Sequence, residues 1–319
     1  MDELEIINKY FRKLTKNNSS AIQLNDDVFF DKKKGLAISV DAYNEGVHFP
    51  NFKFPDLVIK KIIRSSISDL IAKGVRPNYY FISASGNKRS FTKKNLNAIS
   101  KSLQAEQRKF NIKLSGGDTT YSNNLTFSLS VIGYTNKIVE RNKSTINDDI
   151  YVTGNIGDSY LGLKVITKKI NLSSKLSKYF IKKFYKPDLP YKICNKLNKF
   201  ASSSIDVSDG IFSDMSKLIN NQRLSFEIDV SKIPLSTRLK NYLIKNNKKK
   251  INYISKGDDY QILFTAPVKN RFLIKSISKR MNQKITKIGK IIANNKRNTI
   301  KISNKSSNAS KFKGYYHKF

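Results

Sequence analysis

Residues 204–215 read SIDVSDGIFSDM, three carboxylates in one short stretch of a chain that holds 60 Lys and Arg but only 24 Asp and Glu. The run Ser204-Ile205-Asp206-Val207 has β character, whereas Ile211, Phe212, Met215, Leu218 and Ile219 recur at helical spacing. The stretch is therefore predicted to be a strand that turns at Ser208-Asp209-Gly210 into a helix. Asp206 and Asp209 then stand where exposed N–H groups and the helix dipole favour negative charge. Two readings stand side by side. Either Ser208 or Asp209 caps the helix, as such residues commonly do, or the carboxylates hold a cation that in turn holds phosphate.

The same alternation of strand and helix runs through the whole chain. ELEIINKYFRKL places Leu4, Ile7, Phe11 and Leu14 on one face of an opening helix. AIQLNDDVFF and GLAISVDAY are predicted as strands, the second ending at Asp41. From Asp56 to Lys73 the apolar positions repeat at helical spacing until Gly74 and Pro77 stop them, and Asp69 lies there among Ser65, Ser66, Ser68 and Ala72. VRPNYYFISAS is predicted as a strand, KKNLNAISKSLQAEQRKF as a helix, and NIKLSGGDTT as a short strand running into a glycine turn. LTFSLSVIGY alternates as a strand with one buried face. After Arg141 the pattern restarts with DDIYVTGNIGDSYLGLKVI, a strand, a glycine turn and a helix. These elements predict an α+β (α/β) chain of two domains, residues 1–140 and 141–319.

The formal net charge of +36 invites a partner with a phosphate backbone. The lysines, however, are spread through the chain in company with Asn and Ile, as in IKNNKKKIN (244–252), which is the pattern of a compositional bias filling solvent-facing positions. We therefore expect no specific nucleic-acid partner. The single cysteine, Cys194, excludes an internal disulfide and a cysteine-based zinc cage, and only His48 and His317 are available as imidazole ligands. No run of about 18 apolar residues and no export signal is evident, so the expectation is a cytoplasmic protein without a membrane segment.

The acids are 18 Asp against 6 Glu, a bias toward the residue favoured at turns, caps and magnesium sites. They recur at strand ends, turns or faces of small residues: Asp26-Asp27, Asp41, Asp69, Asp118 after Gly116-Gly117, Asp206, Asp209 and Asp258-Asp259. Singly, each is a cap or turn residue. Together they form an all-oxygen donor set suited to a hard cation such as Mg²⁺.

The segments NDDVFF, SVDAYNEGVHF, SSISDLIAKGVRP, LSGGDTTYSNNLTFSLSVIGY, VTGNIGDSYLGL, FYKPDLPY, SIDVSDGIFSDM, GDDYQILFTAP and GYYHKF follow one another in an order and spacing that resemble the thiamine-monophosphate kinases, a family of the aminoimidazole ribonucleotide synthetase superfamily. The resemblance spans nearly the whole chain, and the absence of GxxxxGK[ST] agrees with it, since that superfamily binds ATP without a Walker-type loop. It implies two domains of the aminoimidazole ribonucleotide synthetase-like fold, with the N-terminal sheet used to form a homodimer. It further implies ATP-dependent phosphorylation of thiamine phosphate to thiamine diphosphate. Carried over by position, Asp27, Ser39, Asp41, Asp69, Asp118, Asp206 and Asp209 would bind several Mg²⁺ ions, with Asp118 and Asp209 central to catalysis. Gly117, Asp118, Arg141 and Ser208 would contact ATP, and His48, Asp258 and Tyr315 thiamine phosphate.

This chain departs from the family pattern at three places: Asn25 replaces a glycine before the paired acids, Val40 a hydroxyl residue before Asp41, and Asp258 a glutamate. Two alternatives stay open on the sequence. One is another ATP-dependent enzyme of the same superfamily, such as aminoimidazole ribonucleotide synthetase; the other is a basic nucleic-acid-binding protein.

Overall fold

Thr126–Tyr134 shows how the sequence builds the first sheet. Phe127, Leu129 and Val131 point inward while the residues between them stay half exposed, so a period of two becomes a strand with one buried face. The computed structural model describes residues 1, 3–294, 298–302, 305–312 and 314–315. Its elements in the first half are α1 (Glu3–Ile6), β1 (Phe29–Asp31), β2 (Leu36–Asn44), α2 (Pro55–Ala72), β3 (Pro77–Gly86), α3 (Lys93–Phe110), β4 (Lys113–Tyr121) and β5 (Thr126–Tyr134). The five strands order as β1-β2-β5-β3-β4. Neighbours are antiparallel except β3 and β4, which run parallel across the α3 crossover.

The second half holds β6 (Asp149–Thr153), α4 (Asp158–Ile166), α5 (Ser174–Tyr185), β7 (Ser203–Asp206), α6 (Ile211–Leu218), β8 (Leu224–Asp229), α7 (Thr237–Lys245), α8 (Ile251–Ile254), β9 (Ile262–Ala266), α9 (Arg271–Arg280), β10 (Ile285–Ala293), β11 (Thr299–Ile302) and β12 (Lys305–Asn308). The strands form a seven-stranded sheet in the order β12-β11-β8-β10-β6-β9-β7.

Helix α2 sits between these layers. Proline at its first turn pre-sets φ, and Val58, Ile59, Ile62, Ile63, Ile67, Leu70 and Ile71 are all sealed from solvent. So wide an apolar arc suits a helix covered on more than one side: α2 packs on β2 and β5 and also reaches β7. One hydrophobic cluster accordingly runs from Ile62 and Phe127 of the first half to Phe184 and Phe264 of the second.

Four sequence expectations need correction. The opening segment is helical only from Glu3 to Ile6, passes through a wider π turn and a 3₁₀ turn, and buries none of its residues; Leu14 is 80 % exposed. AIQLNDDVFF is not one strand: Ser19–Leu24 is a 3₁₀ segment in which Ile22, Gln23 and Leu24 take left-handed φ values of 49°, 55° and 52°, and only Phe29–Asp31 pairs. Tertiary contacts override local preference there, Arg12 Nε donating to the Gln23 carbonyl at 3.0 Å. β2 continues past Asp41 to Asn44 because β5 pairs with it over its full length. β4 likewise continues through Gly116 and Gly117 instead of turning, with a bulge at Ser115-Gly116 where the register against β3 shifts, so Asp118 is a strand residue. A Cβ on Gly117 would lie 1.9 Å from the Ile82 carbonyl oxygen, which is why glycine is needed for that pairing.

Candidate active site

The strand–turn–helix expected at 204–215 is present, and it settles the capping question locally. Gly210 is the N-cap of α6 and supplies no side chain; neither Ser208 nor Asp209 caps it. Asp214, in the first turn, reaches back instead and accepts hydrogen bonds from the Asp209 and Gly210 N–H groups at 3.1 and 3.0 Å. With α6 capped from within, Ser208 and Asp209 are left to face a cleft of about 580 Å³ between the two halves.

Three carboxylates enter this cleft from different elements: Asp41 from β2, Asp69 from α2 and Asp206 from the end of β7. Each is oriented by a hydroxyl. Ser39 Oγ donates to Asp69 at 2.5 Å, Ser68 Oγ to Asp206 at 2.7 Å and Tyr43 OH to Asp41 at 3.2 Å. Burial pushes the Asp41 and Asp206 carboxyls up to about 6, and Asp69, whose burial is aggravated by the charges of Asp41 and Asp206, well above the usual carboxylate range. These groups repel one another in a poorly solvated space, a tension that a divalent cation would relieve.

A second set of carboxylates is paired with cations. Lys73, fully buried, bridges Asp26 and Asp27 at 2.6 and 2.8 Å and donates to the Ser204 carbonyl at 2.7 Å. Arg141 donates to Asp27 through its guanidinium, and its backbone N–H donates to Asp26 at 2.8 Å. Lys217 holds Asp209, and Lys61 holds Asp258. Among the described residues no group of three His, Cys, Asp or Glu side chains stands close enough together in this structure to hold a metal ion.

The cleft thus gathers Asp27, Asp41, Asp69, Asp206, Asp209, Arg141, Ser208, His48, Asp258 and Tyr315. Ser39 does not line it and acts through its bond to Asp69. Gly117 and Asp118 are not brought in: both lie exposed on the edge strand β4, where Asp118 accepts from the Thr119 N–H. Tyr315 is placed by its N–H, which donates to the Asp209 carbonyl at 3.0 Å, while the last four residues of GYYHKF lie outside the described residues. Val40, one of the departures, is 66 % exposed at the cleft. Sequence reading missed Lys61, Tyr43, Tyr260, Lys217 and Asp214. Asp214 had a signal, as a third acid in the same short stretch.

Two sheets with a carboxylate-lined cleft between them define an AIR synthase-like protein, and residues 22–135 match the family model "AIR synthase related protein, N-terminal domain". The chain is 32 % identical to the thiamine-monophosphate kinase of Buchnera aphidicola subsp. Acyrthosiphon pisum, over 91 % of this chain and 90 % of that one. It is 28 % identical to the enzyme of the same name from Haemophilus influenzae, over 91 % and 89 %. Among solved structures it is similar to AaThiL complexed with AMPPCP and TMP, with a TM-score of 0.83, 26 % identity, and coverage of 99 % of this chain and 97 % of that one. The chain belongs to the thiamine-monophosphate kinase family.

Proposed function

We propose that this chain transfers the γ-phosphoryl group of ATP to thiamine phosphate, giving thiamine diphosphate and ADP. The observation that carries this reading is the convergence of Asp41, Asp69 and Asp206 in one cleft with Arg141 and Lys217, in a member of this family. An oxygen of the substrate's own phosphate attacks the γ-phosphorus while the bond from that phosphorus to the β,γ-bridging oxygen breaks. The attacking oxygen is already anionic at neutral pH, so no general base is required. This agrees with the half-buried His48, whose Nδ1 is occupied in accepting the Asn44 N–H at 3.0 Å. The task is to bring two polyanions into line and to stabilise the charge between them.

Asp41, Asp69 and Asp206 fit Mg²⁺ by donor type, burial and mutual repulsion, with Asp27 and Asp209 at the rim of the same set. The metal would supply charge neutralisation at the phosphate oxygens. Arg141 and Lys217, held by Asp27 and Asp209, present fixed positive charge to the nucleotide phosphates, and Ser208 offers a hydroxyl beside them. Asp258, His48 and Tyr315 serve the thiamine phosphate side. Because Gly117 and Asp118 stand outside the cleft on an edge strand, we read them as completing the site across a homodimer interface.

Incubation with ATP, Mg²⁺ and thiamine phosphate, followed by detection of thiamine diphosphate as its oxidised fluorescent derivative, tests the reading. Product that depends on all three components is expected. ATP consumption with no thiamine diphosphate would overturn it in favour of another acceptor.

A further inference from the structure

Lys61 is a lysine on the buried side of α2 with only 1 % of its side chain exposed, and its ammonium reaches across to Asp258, 197 positions away in the other half. It stands 4.0 Å over the Phe184 ring and 5.4 Å from that of Tyr260, so the buried charge is met by two aromatic faces as well as by the carboxylate. Tyr260 OH donates to the same Asp258 oxygen, Oδ1, at 3.1 Å. Asp258 is 29 % exposed and lines the cleft, and an ionised carboxylate has acceptor capacity beyond these two contacts.

The backbone here has no room to adjust. Asp258 N–H donates to the Ser208 carbonyl at 2.8 Å, Asp258 sits at a left-handed φ of 68°, and a Cβ on Gly257 would fall 1.6 Å from the Ser208 oxygen. With the loop jammed against the Ser208-Asp209 turn and the side chain only one methylene long, the direction of the carboxylate is decided by the groups that hold it. Helix α2 also carries Asp69, eight residues on and therefore about 12 Å along the axis. One rigid helix thus fixes both the carboxylate end of the cleft and the aromatic end where Asp258 faces inward.

We propose that Lys61 is a positioning residue for the organic portion of the acceptor substrate, acting through Asp258. The acceptor would present a cationic or amino-bearing heterocycle to the aimed carboxylate, while its phosphate lies toward Asp69. This deepens the reading given under Proposed function and rests on it. Lys61 does not line the cleft, so its loss is felt through Asp258, in recognition of the acceptor and not in the chemical step.

The test is initial-rate kinetics on wild type, Lys61→Met, Asp258→Asn and the double variant. Lys61→Met keeps an unbranched side chain at this position and removes the charge that stands over Phe184. It should raise KM for thiamine phosphate about tenfold, with kcat and KM for ATP changed less than about threefold. The double variant should be no worse than Asp258→Asn alone, the sign of two residues acting as one unit. Additive losses, an altered KM for ATP, or an unchanged KM for thiamine phosphate would each overturn the proposal. Should Lys61→Met fail to fold, Lys61→Gln is read by thermal shift: the rise in Tm with thiamine phosphate should be lost and the rise with a non-hydrolysable ATP analogue retained, and the reverse pattern counts against Lys61. A wild-type protein without thiamine phosphate turnover defeats the functional reading and this inference with it. A turning-over wild type with an unaffected Lys61→Met defeats the inference alone.

Discussion

Ser68 Oγ donates a 2.7 Å hydrogen bond to Asp206 Oδ2 although 138 positions separate them. The bond ties α2 to β7 at the floor of the cleft, and five residues further on Lys73 makes a parallel tie to the Ser204 carbonyl. The helix that carries Asp69 is therefore also the pin between the two halves. Its carboxylate is placed by buried contacts on two regular elements, which is the arrangement that positional catalysis of phosphoryl transfer requires.

Removing a charge from the floor should separate activity from stability. Asp69→Asn should lower kcat by about 10²–10³-fold and raise the Mg²⁺ concentration needed for half-maximal rate. In chelator its Tm should equal or exceed that of wild type, because one of three mutually repelling carboxylates is gone. Near-normal turnover would take Asp69 out of the metal-binding set.

The pH dependence follows with a definite sign. Burial first, and the charge of Asp41 next, push the Asp206 carboxyl from 3.8 up to about 6. A carboxyl that holds its proton more tightly in the folded state gives stability that is complete below the unfolded pKa and lost as pH rises through the folded one. A change from 3.8 to about 6 corresponds to about 3 kcal/mol as an order of magnitude. In chelator, Asp206→Asn should therefore be the more stable protein at pH 7–8, its advantage vanishing toward about pH 4, and Mg²⁺ should shrink the gap at neutral pH. Melting curves of both proteins across that range check this. An advantage independent of pH would mean that the carboxyl is not the cause.

Asp118 yields a test of assembly. Its exposure on β4, away from the cleft, leads us to expect that it works on the cleft of a second copy. Asp118→Asn and Asp209→Asn should each be nearly inactive, yet an equimolar mixture, unfolded and refolded together, should regain about a quarter of wild-type activity. Half of the randomly paired dimers would be mixed, each with one intact site of two. No recovery, with mixed dimers demonstrated, would place Asp118 in its own chain's cleft.

What could be read in the sequence, and what could not, follows from contrast. The helix read at KKNLNAISKSLQAEQRKF is α3 to the residue, and in the structure Thr92 caps it, accepting the Asn95 N–H. The stretch 21–30 is not so legible: its apolar residues mimic a strand, while the left-handed turn at Ile22–Leu24 receives at Gln23 a hydrogen bond from Arg12, eleven positions earlier and outside the stretch. In the site the aspartates were legible because acids are scarce in this chain. Lys61, Lys73 and Lys217 were not, because among 60 basic residues no single lysine is informative until burial picks it out. Gly116-Gly117 reads as a turn, but a close strand pairing also demands glycine, and only the partner Ile82 decides between them.

The last prediction returns to the acids at 204–215. Asp214 is sealed from solvent, and burial, followed by the charge of Asp209, lifts its carboxyl well above the usual range. Its Oδ2 accepts from the Asp209 and Gly210 N–H groups, whereas its Oδ1 has no hydrogen-bond partner among the described residues. A protonated carboxyl in this position is closely matched in shape by asparagine, which retains an oxygen for the two N–H donors. Asp214→Asn should thus cost less than about 1 kcal/mol of stability, while Asp214→Ala leaves two buried donors unsatisfied and should cost about 2–4 kcal/mol. Loss of that anchor also frees the turn bearing Ser208 and Asp209, so Asp214→Ala should raise KM for ATP even where enough protein remains folded to assay. Denaturant unfolding and initial rates on the two variants decide the matter: equal destabilisation by Asn and Ala would show that Asp214 is needed as an anion, and that the tension at the start of α6 is relieved by Lys217 and not by a proton.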